Sequence, residues 1–310
     1  MADIVIAEFM DEEAVTGLRE RYSVAYDPDL VDQSERLLSV LQEARALIVR
    51  NRTQVRGAML AAAPRLECVG RLGVGLDNID VAACTERGVP VFPASGANDL
   101  SVAEYVTTAA LMLLRGAWLS TPTVIAGGWP RQALIGRELS GRVMGLVGYG
   151  SIARQVAQSV TALGMRCIAY DPFLLPDDAA WGTTESRTLA ELLARADVIS
   201  LHTPLTDATR HMIDVGTLDL MKPGAILINT SRGGVVDEAA LAAALRQGRL
   251  GGAALDVFET EPLTKEAGAK FGGLPNLLLT PHIAGVTEES NVRVSSLIAL
   301  RVSAHLERRK

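Results

Sequence analysis

Cysteine is nearly missing from these 310 residues: Cys68, Cys84 and Cys167 are the whole supply. An odd number with no C-x-x-C or Cys/His ligand spacing argues against a disulfide framework or a metal site. The three read as small buried hydrophobes of a reducing compartment. Apolar runs of membrane-spanning length, about 20 residues, are also lacking. The opening MADIVIAEFMDEEAV has no basic stretch before its apolar residues, so it reads as a first strand and not as a signal peptide. An excess of positive charge is absent as well. The formal charge is -6 at pH 7, and the sole basic cluster is the tail Arg308-Arg309-Lys310, so nucleic acid is not an expected partner. The default expectation is a cytoplasmic protein that meets neither membrane nor nucleic acid.

Aromatic residues are few, 4%, against 48% hydrophobic residues in all. The surplus lies in Ala, Val, Leu and Gly, which suits sheets covered by helices. The first third alternates strands at 3–9, 44–50 and 66–73 with helices at 11–22 and 56–64, a small βαβ domain. A helix over 102–114 follows, with Ser101 as N-cap and Glu104 as its capping-box partner. The middle repeats the rhythm more strongly, with strands at 142–148, 165–171, 197–203, 225–231, 253–258 and 276–282. Helices are expected at 151–163, 188–195, 214–221 and 237–247. Strands this apolar are buried on both faces, as in a doubly wound parallel sheet. Beyond 283 the pattern is helical.

VGYGSIA (147–153) is a G-x-G-x-x-A match at the end of a strand and the start of a helix. Gly148 permits the tight turn, Gly150 lets the backbone approach a pyrophosphate, and Ala153 permits close packing of helix on strand. The backbone N–H groups of Ser151 and Ile152 then open a helix and form a natural anion site. Asp171 stands 21 residues past Gly150, at the end of the next strand. A carboxylate there grips the adenosine ribose of NAD and repels the 2′-phosphate of NADP.

Ligands gather at the carboxyl ends of such sheets, and three chargeable groups end later strands. They are Arg232 after LINTS, Glu261 in DVFETEP and His282 in LLLTPHIAG. Oxidising a 2-hydroxy acid needs a base for the hydroxyl proton, and the reverse reaction needs the same group as acid. Histidine is suited to both near neutral pH, and a neighbouring carboxylate would favour the imidazolium. A guanidinium fork binds a carboxylate and polarises a C2 carbonyl.

RLGVGLDNID (71–80), GANDLSVAEY (96–105), GYGSIA, HTPLT (202–206), NTSRGGVVDE, AALDVFETEP and PHIAG occur in that order. On these stretches the chain resembles the D-isomer-specific 2-hydroxyacid dehydrogenases, the family of D-3-phosphoglycerate dehydrogenase, over essentially its full length. The resemblance implies two Rossmann-like or flavodoxin-like parallel-sheet domains with the active site in the cleft between them. The substrate-binding domain would comprise 1–97 and 284–310, and the NAD-binding Rossmann domain 98–283, with a hinge near Asn98 and His282. It implies Arg232 on the substrate, Glu261 on the histidine, His282 as proton donor or acceptor, and Asp256 near the nicotinamide carboxamide. Val74, Asp171, Thr203, Thr230 and Ser231 would line the coenzyme, with Arg232, His282 and Gly285 completing its surroundings. Val74 and Gly75 would hold the substrate carboxylate through backbone N–H groups, with Gly73 also at the substrate. A homodimer through the NAD domain, near the 102–114 helix, is also implied. Ala153 replaces a commoner glycine, and Ile283-Ala284-Gly285-Val286-Thr287 departs from the usual Gly-Gly or Gly-Ala then Ser-Thr, so a different pocket wall is expected. With the chain ending near 310, the C-terminal regulatory domain of longer phosphoglycerate dehydrogenases, and serine feedback with it, is not expected.

IVRNRTQV (48–55) bears on the substrate. Arg50 and Arg52 flank Asn51, and in an extended segment residues two apart face one way. The family resemblance puts this segment against the substrate, where two arginines suit a second anion on C3. Candidates are 3-phosphoglycerate and 3-sulfolactate, or, through hydrogen bonds, glycerate and hydroxypyruvate. DIVIAEFMDEEAV and PHIAGVTEES are similar to stretches of sulfolactate dehydrogenases within this family. Stereochemistry agrees, because CH2SO3⁻ outranks carboxylate, so the D-type arrangement takes the (S) label. NADH-binding corepressors and formate dehydrogenases share the fold. The first need exposed peptide grooves, and the second have no use for Arg50 and Arg52.

Overall fold

Apolar residues on both sides of the central strands decide the architecture. The computed structural model describes residues 2–116, 118, 120–274 and 276–308; Arg309 and Lys310 of the basic tail lie outside them. The chain divides into two compact units, Met1–Asn98 with Val286–Lys310, and Asp99–Gly285. His282 and Gly285 therefore belong to the second unit.

The first unit holds β1 (Ile4–Ile6), β2 (Val24–Tyr26), β3 (Ala46–Val49), β4 (Cys68–Arg71) and β5 (Val91–Pro93). All pair in parallel, in the order β2-β1-β3-β4-β5. Alternate side chains face opposite ways along each strand. Ile4, Ile6, Ala46, Ile48 and Cys68 therefore pack into one core, and Val5, Leu47, Val49 and Val69 into another. The helix Glu288–Arg308 closes the first core with Val294, Ile298, Val302 and Leu306, each four residues on from the last. It sits so close to β4 that a Cβ on Gly70 would lie 2.6 Å from Ile298 Cγ2. β2 and β5 were not foreseen, because three half-buried residues at a sheet edge carry too little pattern.

The second unit holds β6 (Val143–Val147), β7 (Arg166–Tyr170), β8 (Glu185–Ser186), β9 (Val198–Leu201), β10 (Ile226–Asn229), β11 (Gly252–Leu255) and β12 (Leu277–Leu279). Its seven strands are parallel, in the order β12-β11-β10-β9-β6-β7-β8. The order reverses between β6 and β9, which leaves a crevice at their carboxyl ends. Met144, Leu146, Ile226 and Ile228 face the helices Asp99–Arg115 and Ser151–Ala162; Val147, Ile199 and Leu227 face the other side.

One expected helix start is corrected. The helix begins at Asp99, and Ser101 is buried within its first turn instead of capping it. Apolar periodicity begins at Val102, but Asp99 supplies first-turn negative charge earlier and packing takes in the small serine. All three cysteines are buried and none is in a disulfide. No helix among the described residues is long and apolar enough to cross a membrane.

Candidate active site

The Gly-rich turn leaves β6 at the switch point. Gly148 has φ +85°, and a Cβ there would sit 2.6 Å from the carbonyl oxygen of His202. Only glycine combines that conformation with that approach. Around Gly150 the space is open: an added Cβ meets nothing within 4 Å. Gly150 is also the N-cap of the helix Ser151–Ala162 and offers no side chain to its first N–H groups. Ala153, in the first turn of that helix, is fully buried. Asp171 follows β7, and its carboxylate accepts the N–H groups of Tyr149 and Phe173, both at 2.9 Å. Among the described residues, the buried hydroxyls of Thr203 and Thr230 find no hydrogen-bond partner. A buried hydroxyl left unpaired is costly, so these two await a polar ligand. Open space at a helix N-terminus, an anchored carboxylate and two orphan hydroxyls fit a dinucleotide.

Asp171 carries a direct test. Asp171→Ser should raise kcat/KM for NADPH relative to NADH on the order of tenfold to a hundredfold, by removing a charge opposed to the 2′-phosphate. An unchanged coenzyme ratio in initial-rate assays would count against this role.

The structure brings together the three charged groups of the later strand ends. His282 Nδ1 lies 2.7 Å from Glu261 Oε2, and Glu261 Oε1 accepts the N–H of Phe258 at 3.0 Å. Burial works to raise the Glu261 pKa. The hydrogen bond with His282, the Phe258 N–H and the charges of His282 and Arg232 outweigh it, so the carboxyl lies below its ordinary value. With Nδ1 given to the carboxylate, Nε2 is the nitrogen left to exchange a proton. His282 itself has φ +56°, unusual for a residue with a Cβ. Its N–H donates to the carbonyls of Asp256 (2.8 Å) and Thr280 (3.1 Å).

Arg232 follows β10. Its Nη1 donates to the Ser231 carbonyl at 2.6 Å, and Asn229 Nδ2 holds the Arg232 carbonyl at 2.8 Å. Asn229 Oδ1 accepts both the N–H and the hydroxyl of Ser231. Next, Gly233 presses on the backbone of Phe258, where any Cβ would fall inside the carbonyl group. The turn bearing Arg232 and the loop bearing Glu261 are thus in backbone contact.

Asp256 does more than the sequence implied. It is 1% exposed and accepts Thr280 Oγ1 (2.7 Å) and the N–H groups of Ile283 and Ala284 (2.8 Å each). Tyr105 adds its hydroxyl to Thr280 at 2.5 Å. The carboxylate therefore shapes the loop that aims His282.

In the first unit, Gly73 has φ +150° and lies under the guanidinium of Arg71. Among the described residues, the N–H groups of Val74 and Gly75 donate to no protein acceptor. Arg50 and Arg52 are not brought together. The strand ends at Val49 and residues 51–53 bend, so the alternation that would align them is broken. Arg52 forms an exposed ion pair with Asp32 through both guanidinium nitrogens, one at 3.1 Å. Arg50 is half-buried, bonded to Asn291 Oδ1 at 3.0 Å and lying 5.6 Å from the centre of the Phe9 ring. Burial pulls its pKa below the ordinary arginine value, with Glu8 and Tyr26 acting the other way.

Glu8 was missed by sequence reasoning. It is 4% exposed and accepts the N–H groups of Arg50 (2.9 Å), Arg52 (3.2 Å) and Thr53 (3.1 Å). An acid directly after the apolar run IVIA was the available signal, but its partners are more than 40 residues away. Asn51 is exposed on the same bend.

A parallel sheet with such a switch point takes a nicotinamide dinucleotide, and a carboxylate-held imidazole at its edge serves a substrate that must give up or receive a proton. The class is the NAD-dependent oxidoreductases that act on a CH–OH group. A model of the D-isomer specific 2-hydroxyacid dehydrogenase NAD binding domain matches residues 107–284. The (S)-sulfolactate dehydrogenase of Chromohalobacter salexigens is 58% identical over 296 residues, 95% of either chain. The D-3-phosphoglycerate dehydrogenase of Mycobacterium leprae is 40% identical over 96% of this chain and 55% of its own length, so the chain spans about half of that relative. Among solved structures, D-lactate dehydrogenase from Aquifex aeolicus, complexed with NAD and lactic acid, has a TM-score of 0.86 at 29% identity, covering 98% of this chain and 95% of that one. The chain belongs to the D-isomer specific 2-hydroxyacid dehydrogenases. It is an NAD-dependent 2-hydroxyacid dehydrogenase.

Proposed function

We propose that the substrate carries a second anion on C3, with (S)-3-sulfolactate and its 2-oxo acid as the favoured pair. The observation that carries this is Arg50: a half-buried guanidinium whose bonded partner is a neutral amide, with no carboxylate paired to it among the described residues. A desolvated guanidinium with no carboxylate bonded to it favours an anionic ligand. The 58% identity to an (S)-sulfolactate dehydrogenase supports the same choice.

NAD, when bound, would supply the acceptor for the hydride leaving C2. Arg232 holds the carboxylate and the C2 oxygen. His282 Nε2 removes the hydroxyl proton in oxidation and returns it to the carbonyl oxygen in reduction, while Glu261 stabilises the imidazolium. Asp256 keeps the histidine loop in place. The substrate-binding role falls to the first unit and the coenzyme role to the second. The reading also takes in a cytoplasmic homodimer. Three buried cysteines outside any disulfide suit a reducing compartment. A second copy suits the exposed Ile125, Trp129 and Ile135, 82%, 76% and 74% exposed.

Rates with sulfopyruvate, phosphohydroxypyruvate, hydroxypyruvate and glyoxylate, each with NADH, test the substrate. Arg50→Ala should cost about a hundredfold in kcat/KM with sulfopyruvate and far less with glyoxylate, since losing a partner of a desolvated charge is expensive. Arg52→Ala, whose charge already belongs to Asp32, should lower both alike and only slightly. Equal losses with the two acids in Arg50→Ala would remove the C3 anion from the proposal.

A further inference from the structure

Two acids outside the groups described so far meet head to head. Glu238 is the first residue of the helix Glu238–Arg246 and is 2% exposed. Glu259 lies two residues before Glu261. Each accepts the other's backbone N–H: Glu259 N donates to Glu238 Oε1 at 2.7 Å, and Glu238 N to Glu259 Oε1 at 3.3 Å. Two carboxylates so close need cations. Lys270 Nζ stands 2.8 Å from Glu238 Oε2 and 3.8 Å from Glu259 Oε2, and His211 Nε2 stands 3.2 Å from Glu259 Oε1. The hydrogen bond to Glu238 lifts the Lys270 pKa above its ordinary value.

Helix initiation does not explain Glu238, because Asp237 already caps that helix through the N–H of Ala240 at 2.9 Å. A buried acid next to the cap is costly unless its partners repay it, and its partners lie on the loop of Glu261 and beyond. The same two segments touch through Gly233 and Phe258, whose N–H holds the Glu261 carboxylate. On the other side of the turn, the His211 N–H donates to the Gly234 carbonyl at 2.8 Å. The turn of Arg232 and the loop of Glu261 are therefore in contact at Gly233 and bolted together at Glu238.

We propose that Glu238 is a positioning residue of the active site: its exchange of hydrogen bonds with Glu259 sets the register of the Arg232 turn against the Glu261 loop. The proposal rests on the reading of Arg232, Glu261 and His282 as the acting groups. Glu238→Gln preserves shape, but removes the charge that Lys270 and the Glu259 N–H bind.

The test is a double-variant cycle with sulfopyruvate and NADH. Glu238→Gln alone should lower kcat/KM on the order of tenfold. In the Glu261→Gln background it should cost less than about twofold, because residues acting as one unit are not additive. NADH affinity, read by fluorescence titration, should stay within about twofold of the parent, since the loss concerns orientation and not the coenzyme turn. Losses that multiply in full across the cycle would reduce Glu238 to a general structural role and overturn the proposal. Ordinary turnover in Glu261→Gln by itself would instead overturn the underlying site reading, and the proposal with it. If Glu238→Gln does not fold, Lys270→Met, which withdraws the shared cation from a half-exposed position, takes its place in the same cycle with the same two outcomes.

Discussion

His282→Ala is expected to lower kcat/KM with the 2-oxo acid by about a hundredfold to ten-thousandfold while the protein still folds and binds NADH. The range follows from losing a positioned proton donor. Binding should survive because the coenzyme turn at Gly148 and Gly150, with its Asp171 anchor, draws no hydrogen bond from the imidazole. The backbone at His282 is held by the Asp256 and Thr280 carbonyls, so alanine inherits its place in the loop. Single-turnover reduction of the oxo acid measures the effect, and near-parental rates would exclude His282 as the proton donor. The paired acid gives a pH signature of stability. The Glu261 carboxyl is held below its ordinary value, so its contribution is complete above the ordinary carboxylate range and lost as pH falls through the lowered value. In Glu261→Gln that part of the acid destabilisation should vanish from melting curves.

Arg232→Ala is expected to cost on the order of a hundredfold to a thousandfold in kcat/KM. Both substrate affinity and turnover should fall, because one guanidinium serves the carboxylate and the C2 oxygen. Arg232→Lys should recover little, since a point charge cannot span two acceptors as the planar fork does. The loss should appear equally with glyoxylate, which shares the carboxylate and the C2 oxygen and lacks any C3 group. That indifference separates Arg232 from Arg50, whose removal should discriminate between acids. A loss confined to sulfopyruvate would reverse the two assignments.

Much of the fold was legible because its signals are local. Strands buried on both faces read as unbroken apolar runs, as in LINTS and DVISL, and the helices between them keep a period of 3.6. The turn at GYGSIA needs glycine for reasons that a few residues carry alone. Legibility failed where an element is too short to show a period, as at β2, β5 and β8. It failed again where two capping signals compete, as at Asp99 and Ser101.

In the site, residue type and strand-end position sufficed to single out Arg232, Glu261 and His282, because ligands gather at the carboxyl ends of such a sheet. Nothing local could separate Arg50 from Arg52. Their spacing predicts a shared direction, but a bend after Val49 and the distant partners Asp32, Glu8 and Asn291 send them apart. Glu8 and Glu238 likewise look like ordinary surface acids until N–H groups from remote segments converge on them.

The sequence by itself thus determined the parallel sheets and the dinucleotide turn, and it singled out the histidine and carboxylate proposed here as the proton-transfer pair. All of these follow from periodicity and from side-chain chemistry within a few residues. Only the tertiary structure decided which arginine is bonded to a carboxylate and which buried acids hold the loops, because a carboxylate's partners are chosen by proximity in space.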